Sequence, residues 1–317
     1  MLSRVADAIY WMNRYIERAE NIARFMDVNL NLLLDAPSGT HQQWEPLILT
    51  TGDRNLFQER YGEATQENVI RFLTFDKAYP NSILSCLMAA RENARSIREI
   101  ISSEMWQQIN AFYHLVQDTA NAADQVDWFS FFEQVKSASH LYVGITTATM
   151  THNEGWHFGQ LGRLLERADK TTRILDVKYF ILLPCLRDVG SSLDELQWVA
   201  LLRSTSAYEM YRKCGMHRIT PNAIAAFLLL DRDFPRSTRF CIQQAEQSLH
   251  KITGNPMDNW DTPVERTLGR LRADLDYYTI DELVEDGLHE FLDSLQSRMN
   301  QVDTRIFEAF FALESVN

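Results

Sequence analysis

Arg14, Glu17 and Arg18 stand three and four residues apart, and Arg163, Glu166 and Arg167 repeat the pattern 149 residues later. On a helix, residues at i, i+3 and i+4 share one face and can touch. A carboxylate flanked by two guanidinium groups can form an exposed salt-bridge ladder, worth about 0.3–0.5 kcal/mol per pair. It can also be buried with every donor satisfied, fixing the packing of neighbouring helices. A third possibility is a planar fork turned toward a ligand carboxylate or phosphate. In that case Arg14, Arg18, Arg163 and Arg167 are anion clamps, and Glu17 and Glu166 are the candidate acid–base groups. Arg236-Ser237, directly after Pro235 at a predicted helix start, is a further candidate anion site through backbone N–H groups. Its counterpart is Asn81-Ser82, so the serine equally reads as a plain helix cap.

Other chemistries find little support. A di-metal carboxylate bundle needs two Glu-x-x-His motifs and two further glutamates, whereas only Asp286-x-x-His289 occurs. His152 and His157 are five residues apart, a poor spacing for one helix face and better read as a loop pair than a zinc site. No G-x-S-x-G, P-loop or G-x-G-x-x-G is present, so the hydrolase, NTPase and dinucleotide signatures are missing. Cys86 and Cys241 fall on apolar helices and read as small core residues rather than nucleophiles. Neither a metal nor a cofactor is expected.

These side chains are positioned by elements that occur twice. RYIERAENIARFMDV from Arg14 aligns with RLLERADKTTRILDV from Arg163, with seven identities in register. WEPLILTT from Trp44 resembles WVALLRST from Trp198, and the twenty-two residues from Thr65 resemble those from Thr220 at an offset of 155. Phe72, Leu73, Asp76, Pro80, Ser82 and Cys86 meet Phe227, Leu228, Asp231, Pro235, Ser237 and Cys241. The offset grows only by short insertions, as loops allow. The reading is an all-α chain of two tandem, diverged helical-bundle repeats packed together, residues 1–150 and 151–317.

Periodicity predicts the helices. Apolar residues recur every three or four positions from Ile9 to Leu34, and the partner helix is predicted from Phe158 to Leu183. Pro37 and Pro184 follow them as terminators. Trp-led helices are expected at Trp44 and Trp198, and Thr65 and Thr220-Pro221 open others. Helices are further predicted over 82–101 and 237–252, and Thr279-x-x-Glu282 reads as a capping box for a last helix reaching Leu313. Residues 117–127 and 187–194 read as connections.

Composition limits the function classes. Scarce Gly (12) and Pro (8) in 317 residues favour long helices. A formal charge of −12 without any basic run argues against general nucleic-acid binding. No apolar run is long enough for a membrane span, and the opening residues lack a signal-peptide core and cleavage site. Cys86, Cys185, Cys214 and Cys241 lie far apart, which reads as scattered buried thiols in a cytoplasmic protein. Association into an oligomer is compatible with all of this.

The opening MLSRVADAIYWMNRYIERAENIARFMDV resembles the start of the alpha-E family, an all-helical bacterial domain of unknown function named for its Glu-Arg motif. LGRLLERAD from Leu161, ARENARSIREIISSEMW from Ala90 and FPRS from Phe234 are similar to its other blocks, in the same order, over essentially the whole chain. The resemblance implies company with circularly permuted ATP-grasp ligases and transglutaminase-like peptidases. It therefore implies an accessory or substrate-holding role beside a carboxylate–amine ligase, in making or modifying a peptide-like product. The alternatives are an enzyme using Glu17 or Glu166, or a purely structural scaffold. One departure is Asn153-Glu154-Gly155-Trp156, where family members often show Asp-Pro-Gly-Trp.

Overall fold

The computed structural model describes residues 1–35, 44–122, 126–181, 192–215 and 218–312, and among them every regular element is a helix. The first half contains α1 (Ser3–Asp35), α2 (Glu45–Thr51), α3 (Arg54–Tyr61), α4 (Gln66–Ile70), α5 (Ile83–Ser96), α6 (Ser103–Asn121) and α7 (Trp128–Thr149). The second contains α8 (Glu154–Ile181), α9 (Ser192–Ser204), α10 (Tyr208–Lys213), α11 (Pro221–Leu230), α12 (Thr238–Thr253), α13 (Pro263–Tyr277), α14 (Ile280–Glu285) and α15 (Leu288–Ile306). No described helix is long and apolar enough to cross a membrane.

The predicted stripe of α1 is its buried face. Ile9, Met12, Ile16, Ala19, Ile22, Ala23, Met26 and Leu30 all lie in the core, and each large aliphatic side chain contributes about 1.5–3 kcal/mol on full burial. Phe158, Leu161, Leu165, Ala168 and Leu175 do the same for α8. These two helices pack on each other at the centre. On one side α1 meets α5 and α7, with α6 behind; on the other α8 meets α12 and α15, with α13 behind. Contacts also cross over: α1 touches α9, and α2 touches α8. One continuous hydrophobic cluster runs through both halves.

Close approach at the centre depends on glycine. A Cβ at Gly162 would lie 2.5 Å from the Tyr10 carbonyl oxygen, and one at Gly159 would lie 2.8 Å from Asn13 Nδ2. Because backbone blocks Gly162, the Gly162→Ala variant must push α1 and α8 apart. It is expected to lose about 1–3 kcal/mol, the usual penalty for overpacking a tight core. Urea unfolding measures this, and a midpoint equal to the parent's would mean that the two helices are not held at this distance.

Caps fall where side-chain oxygens were expected. Ser82, Ser237, Thr65 and Thr220 each accept from the backbone N–H three residues on, and such caps are worth about 1 kcal/mol. At the start of α8, Asn153 Oδ1 accepts from the N–H groups of Gly155 and Trp156 at 3.1 and 3.4 Å, so this turn forms without the Asp-Pro pair.

Several boundaries differ from expectation. Both central helices begin earlier than predicted, at Ser3 and Glu154, and their predicted terminators Pro37 and Pro184 lie outside the described residues. Trp198 sits within α9 rather than at its start. The helix from Thr65 changes to π geometry over Arg71–Phe75, where the Asp76 N–H reaches the Arg71 carbonyl at 3.0 Å. The capping box at Thr279 forms, but α14 ends after six residues. Gly287, at φ 99°, then separates it from α15, a conformation glycine adopts at no steric cost. α6 runs to Asn121, into the predicted connection. Cys86 and Cys241 are buried as expected, Cys214 is exposed, and Cys185 lies outside the described residues.

Candidate functional site

The Glu17-Arg18 and Glu166-Arg167 dipeptides clasp each other across the α1–α8 contact. Arg167 holds Glu17 with two parallel bonds, Nε to Oε1 at 2.9 Å and Nη2 to Oε2 at 2.7 Å. Arg18 holds Glu166 in the same way, at 2.7 and 2.9 Å. The ladder expected along each helix face does not form: neither glutamate pairs with the arginine three residues before it or the one after it. The reason is direction. With α8 laid against α1, each carboxylate points into the neighbour, where a fork is already in register.

Three more cations, Arg14, Lys170 and Arg236, close around the same carboxylates. Arg14 Nε reaches Glu166 at 2.9 Å, while its Nη1 meets Asp303 at 2.6 Å and the Tyr10 hydroxyl at 3.1 Å. Lys170 stands 3.6 Å from Glu166. On the other side Arg236 donates to Glu17 at 3.2 Å, to Asn21 at 3.0 Å and to Glu20. The remaining corners of Arg18 and Arg167 go to Asn81 Oδ1 and the Pro235 carbonyl. Further along, Glu20 is bound by Arg24 and Ser139, and Asp169 by Lys170 and Arg173. Arg24 also donates to Ser206, which turns at φ 53° after α9, and Arg173 lies beside Gly52, which turns at φ 78° after α2.

The carboxylates are sealed from water: the Glu17 and Glu166 side chains are 1% and 0% exposed. Burial pushes the Glu166 carboxyl up, but Arg18, Lys170 and Arg14 outweigh it and hold it well below the usual range. Glu17 is lowered too, as Arg167 and Arg236 overcome its burial. Glu20 falls well below the ordinary value against the same penalty, through Arg236, His140 and Arg24. Both motif glutamates are therefore fixed as anions with engaged oxygens, a poor state for proton transfer near neutrality.

The other candidates have separate fates. Arg163 alone among the motif arginines meets no carboxylate of the described residues. Its Nη2 donates to Gln160, and its Nε is buried without a partner among the described residues. Arg14 has Tyr10 four residues before it to bridge toward Asp303, whereas Arg163 has Gly159 at that place. Burial and the neighbouring Arg167 lower the Arg163 pKa. The Ser237 hydroxyl donates to the Asp231 carbonyl and caps α12. The Arg236 guanidinium is drawn inward to Glu17 and Glu20, where it makes an internal ion pair.

Burial pushes the Cys86 and Cys241 thiols up, to about 12 and about 11, which keeps them neutral and unreactive. No cluster of three or more His, Cys, Asp or Glu suited to a metal occurs among the described residues. His152 bonds the Thr147 carbonyl and stacks on Trp156, and His289 pairs with Asp176 at 2.6 Å. Sequence reasoning missed Asp303, Lys170 and Tyr10. It also missed the buried pair of Lys178 and Asp194 at 2.8 Å. Asp303 comes from a helix 289 residues away in the chain, and nothing in its spacing marks it.

Comparison with known proteins gives a family but not an activity. Over 314 aligned residues, 92% of this chain, it is 21% identical to uncharacterized proteins of Mycobacterium tuberculosis and Mycobacterium bovis. The match covers 34% of their length, so the chain spans about a third of these curated relatives. No solved structure matches the chain significantly. Residues 1–311 match a family described as "a predicted alpha-helical domain with a conserved ER motif". The chain belongs to the Alpha-E family.

Proposed function

We propose that this chain is a non-catalytic helical module that works beside an ATP-grasp carboxylate–amine ligase in the cytoplasm. It would hold or present a substrate for the making or modification of a peptide-like product. The observation that carries the non-catalytic part is the saturation of Glu17 and Glu166, each buried and gripped by arginines of the opposite helix. The ligase setting, with a transglutaminase-like protein as a second partner, is supported by family resemblance. It agrees with a match that fills only 34% of the longer relatives. Within the motif, Arg163 is the guanidinium with capacity left for a ligand carboxylate or phosphate. The other motif arginines serve the helix–helix lock.

The test is reconstitution with the ATP-grasp protein encoded nearest to this chain. ATP, a peptide and an amine should give an amide product only when both proteins are present, and the two should co-purify. Turnover by this chain alone would restore the acid–base reading, and a ligase indifferent to its presence would remove the partnership. Arg163→Ala should abolish the joint activity while changing stability by about 1 kcal/mol or less, the scale of one hydrogen bond. Retained activity with a much lower melting point would make Arg163 structural.

A further inference from the structure

A cavity of about 1050 Å³ lies away from the Glu-Arg cross, lined by described residues of α3, α4, the π turn, α6 and the start of α7. Its charges are unevenly engaged. Asp76 is taken by Arg60 at 2.8 Å, by the Tyr61 hydroxyl at 3.0 Å and by the Ala78 N–H at 2.9 Å. Arg71, Lys77 and Glu67 are exposed in the same lining and make no ion pair among the described residues, so two free cations stand against one free carboxylate. The lining also holds the side-chain amides of Gln66, Gln117 and Asn121, none hydrogen-bonded to another described side chain or backbone group. Phe75 and the half-buried Trp128 supply an aromatic wall, their rings 6.0 Å apart.

The second half lacks this arrangement. At the offset of 155, Gln66 becomes Pro221, Glu67 becomes Asn222 and Arg71 becomes Ala226. There the same ten positions form an unbroken α-helix, α11, whereas the first half changes to π geometry over Arg71–Phe75. π turns are energetically poorer than α and concentrate at functional sites. Here the turn carries both Arg71 and Phe75, at opposite ends of the segment, into the cavity lining.

We infer that this cavity binds a short acidic peptide. Free amide groups match the donors and acceptors of a peptide backbone, which a simple anion does not offer. Arg71 and Lys77 match side-chain or terminal carboxylates, and charge-assisted bonds of this kind are the strong ones. The aromatic wall covers the apolar part of the chain. On a protein of net charge −12, a cavity wall with two unpaired cations against the single unpaired Glu67 keeps a local positive excess, which selects an anionic ligand there while the rest of the surface repels it. The inference stands apart from the ligase reading, because the site shares no residue with the Glu-Arg cross.

Titration calorimetry of the full chain with tetraglutamate tests it, alongside tetralysine, free glutamate and inorganic phosphate. Tetraglutamate should bind, tetralysine should not, and free glutamate should bind at least ten-fold more weakly. Arg71→Glu and Lys77→Glu, both exposed, should each weaken tetraglutamate at least ten-fold with unchanged melting, and Gln117→Ala should weaken it several-fold. Absence of tetraglutamate binding overturns the inference, as does binding that the two charge reversals leave intact. Displacement by phosphate at equal concentration overturns the peptide assignment and leaves only an anion site.

Discussion

Glu166→Ala is expected to be among the most destabilising single substitutions in this protein. It removes the carboxylate that Arg14, Arg18 and Lys170 share, and the Glu166 side chain is fully buried. Arg18 then keeps only the Asn81 oxygen, and Arg14 keeps Asp303 at one corner while its Nε loses its partner. Breaking a buried pair by removing one partner costs about 3–5 kcal/mol. With an unfolding entropy of about 2.1 cal/mol/K per residue, a chain of 317 residues should melt roughly 5–8 °C lower. Calorimetry gives both quantities. A change below about 1 kcal/mol, the range of surface pairs, would mean that water reaches this carboxylate. Glu166→Gln is expected to be milder in volume but not in charge, since the amide keeps the shape and loses the anion.

Acid should undo the same lock. Glu17, Glu20 and Glu166 all titrate below their ordinary value in the folded chain. A depressed folded pKa means that the unfolded chain binds the proton first. The stabilisation is therefore fully present above the unfolded glutamate value of about 4.3 and is lost as pH falls from there through the folded values. Each group contributes about 1.4 kcal/mol per unit of depression. Melting temperature measured from pH 6 to pH 2.5 should hold nearly level at first and then drop steeply below pH ~4.3. The Glu17→Gln/Glu166→Gln double variant should start lower and show a shallower acid limb. A parallel acid limb in that variant would assign the acid sensitivity to other carboxylates.

How much of this was legible in the sequence follows from which interactions are local. The long helices could be read because burial on one face repeats every three or four residues, as from Ile9 to Leu30. Their caps could be read because Ser82, Ser237, Thr65 and Thr220 act within three residues of themselves. The break at Gly287 was missed because the apolar pattern resumes in α15 and hides a two-residue interruption. The motif residues stood out by type and recurrence, but their partners did not. Arg18 and Glu166 are 148 positions apart, and whether a carboxylate turns along its own helix or into the neighbour depends on the approach that Gly159 and Gly162 permit. The same limit explains Asp303 and the cavity beside Arg71, which only the packing of several helices brings together.

The corresponding hydrogen bonds recur across the halves in a regular way. Ser82 and Ser237 donate to Asp76 and Asp231, and Cys86 and Cys241 donate to Pro80 and Pro235. Phe72 stacks on Tyr79 as Phe227 stacks on Phe234. Against that regularity the differences stand out. Among the described residues Arg163 has no carboxylate where Arg14 has two, and Arg236 occupies the place of Asn81. Arg163 is where a ligand or partner contact is best sought, whereas Arg236 serves the internal pairs with Glu17 and Glu20.

The measurement closest to the centre of this account is a pair of double-mutant cycles on Glu17 by denaturant unfolding. One cycle couples Glu17 to Arg167 on the other helix; the other couples it to Arg14, three residues earlier on its own. The crossed clasp predicts a coupling of about 2–3 kcal/mol, the upper part of the range for contacting residues, in the first cycle and close to none in the second. Coupling to Arg14 with none to Arg167 would show that the motif is an ordinary ladder along one helix and that the two halves are joined by something else.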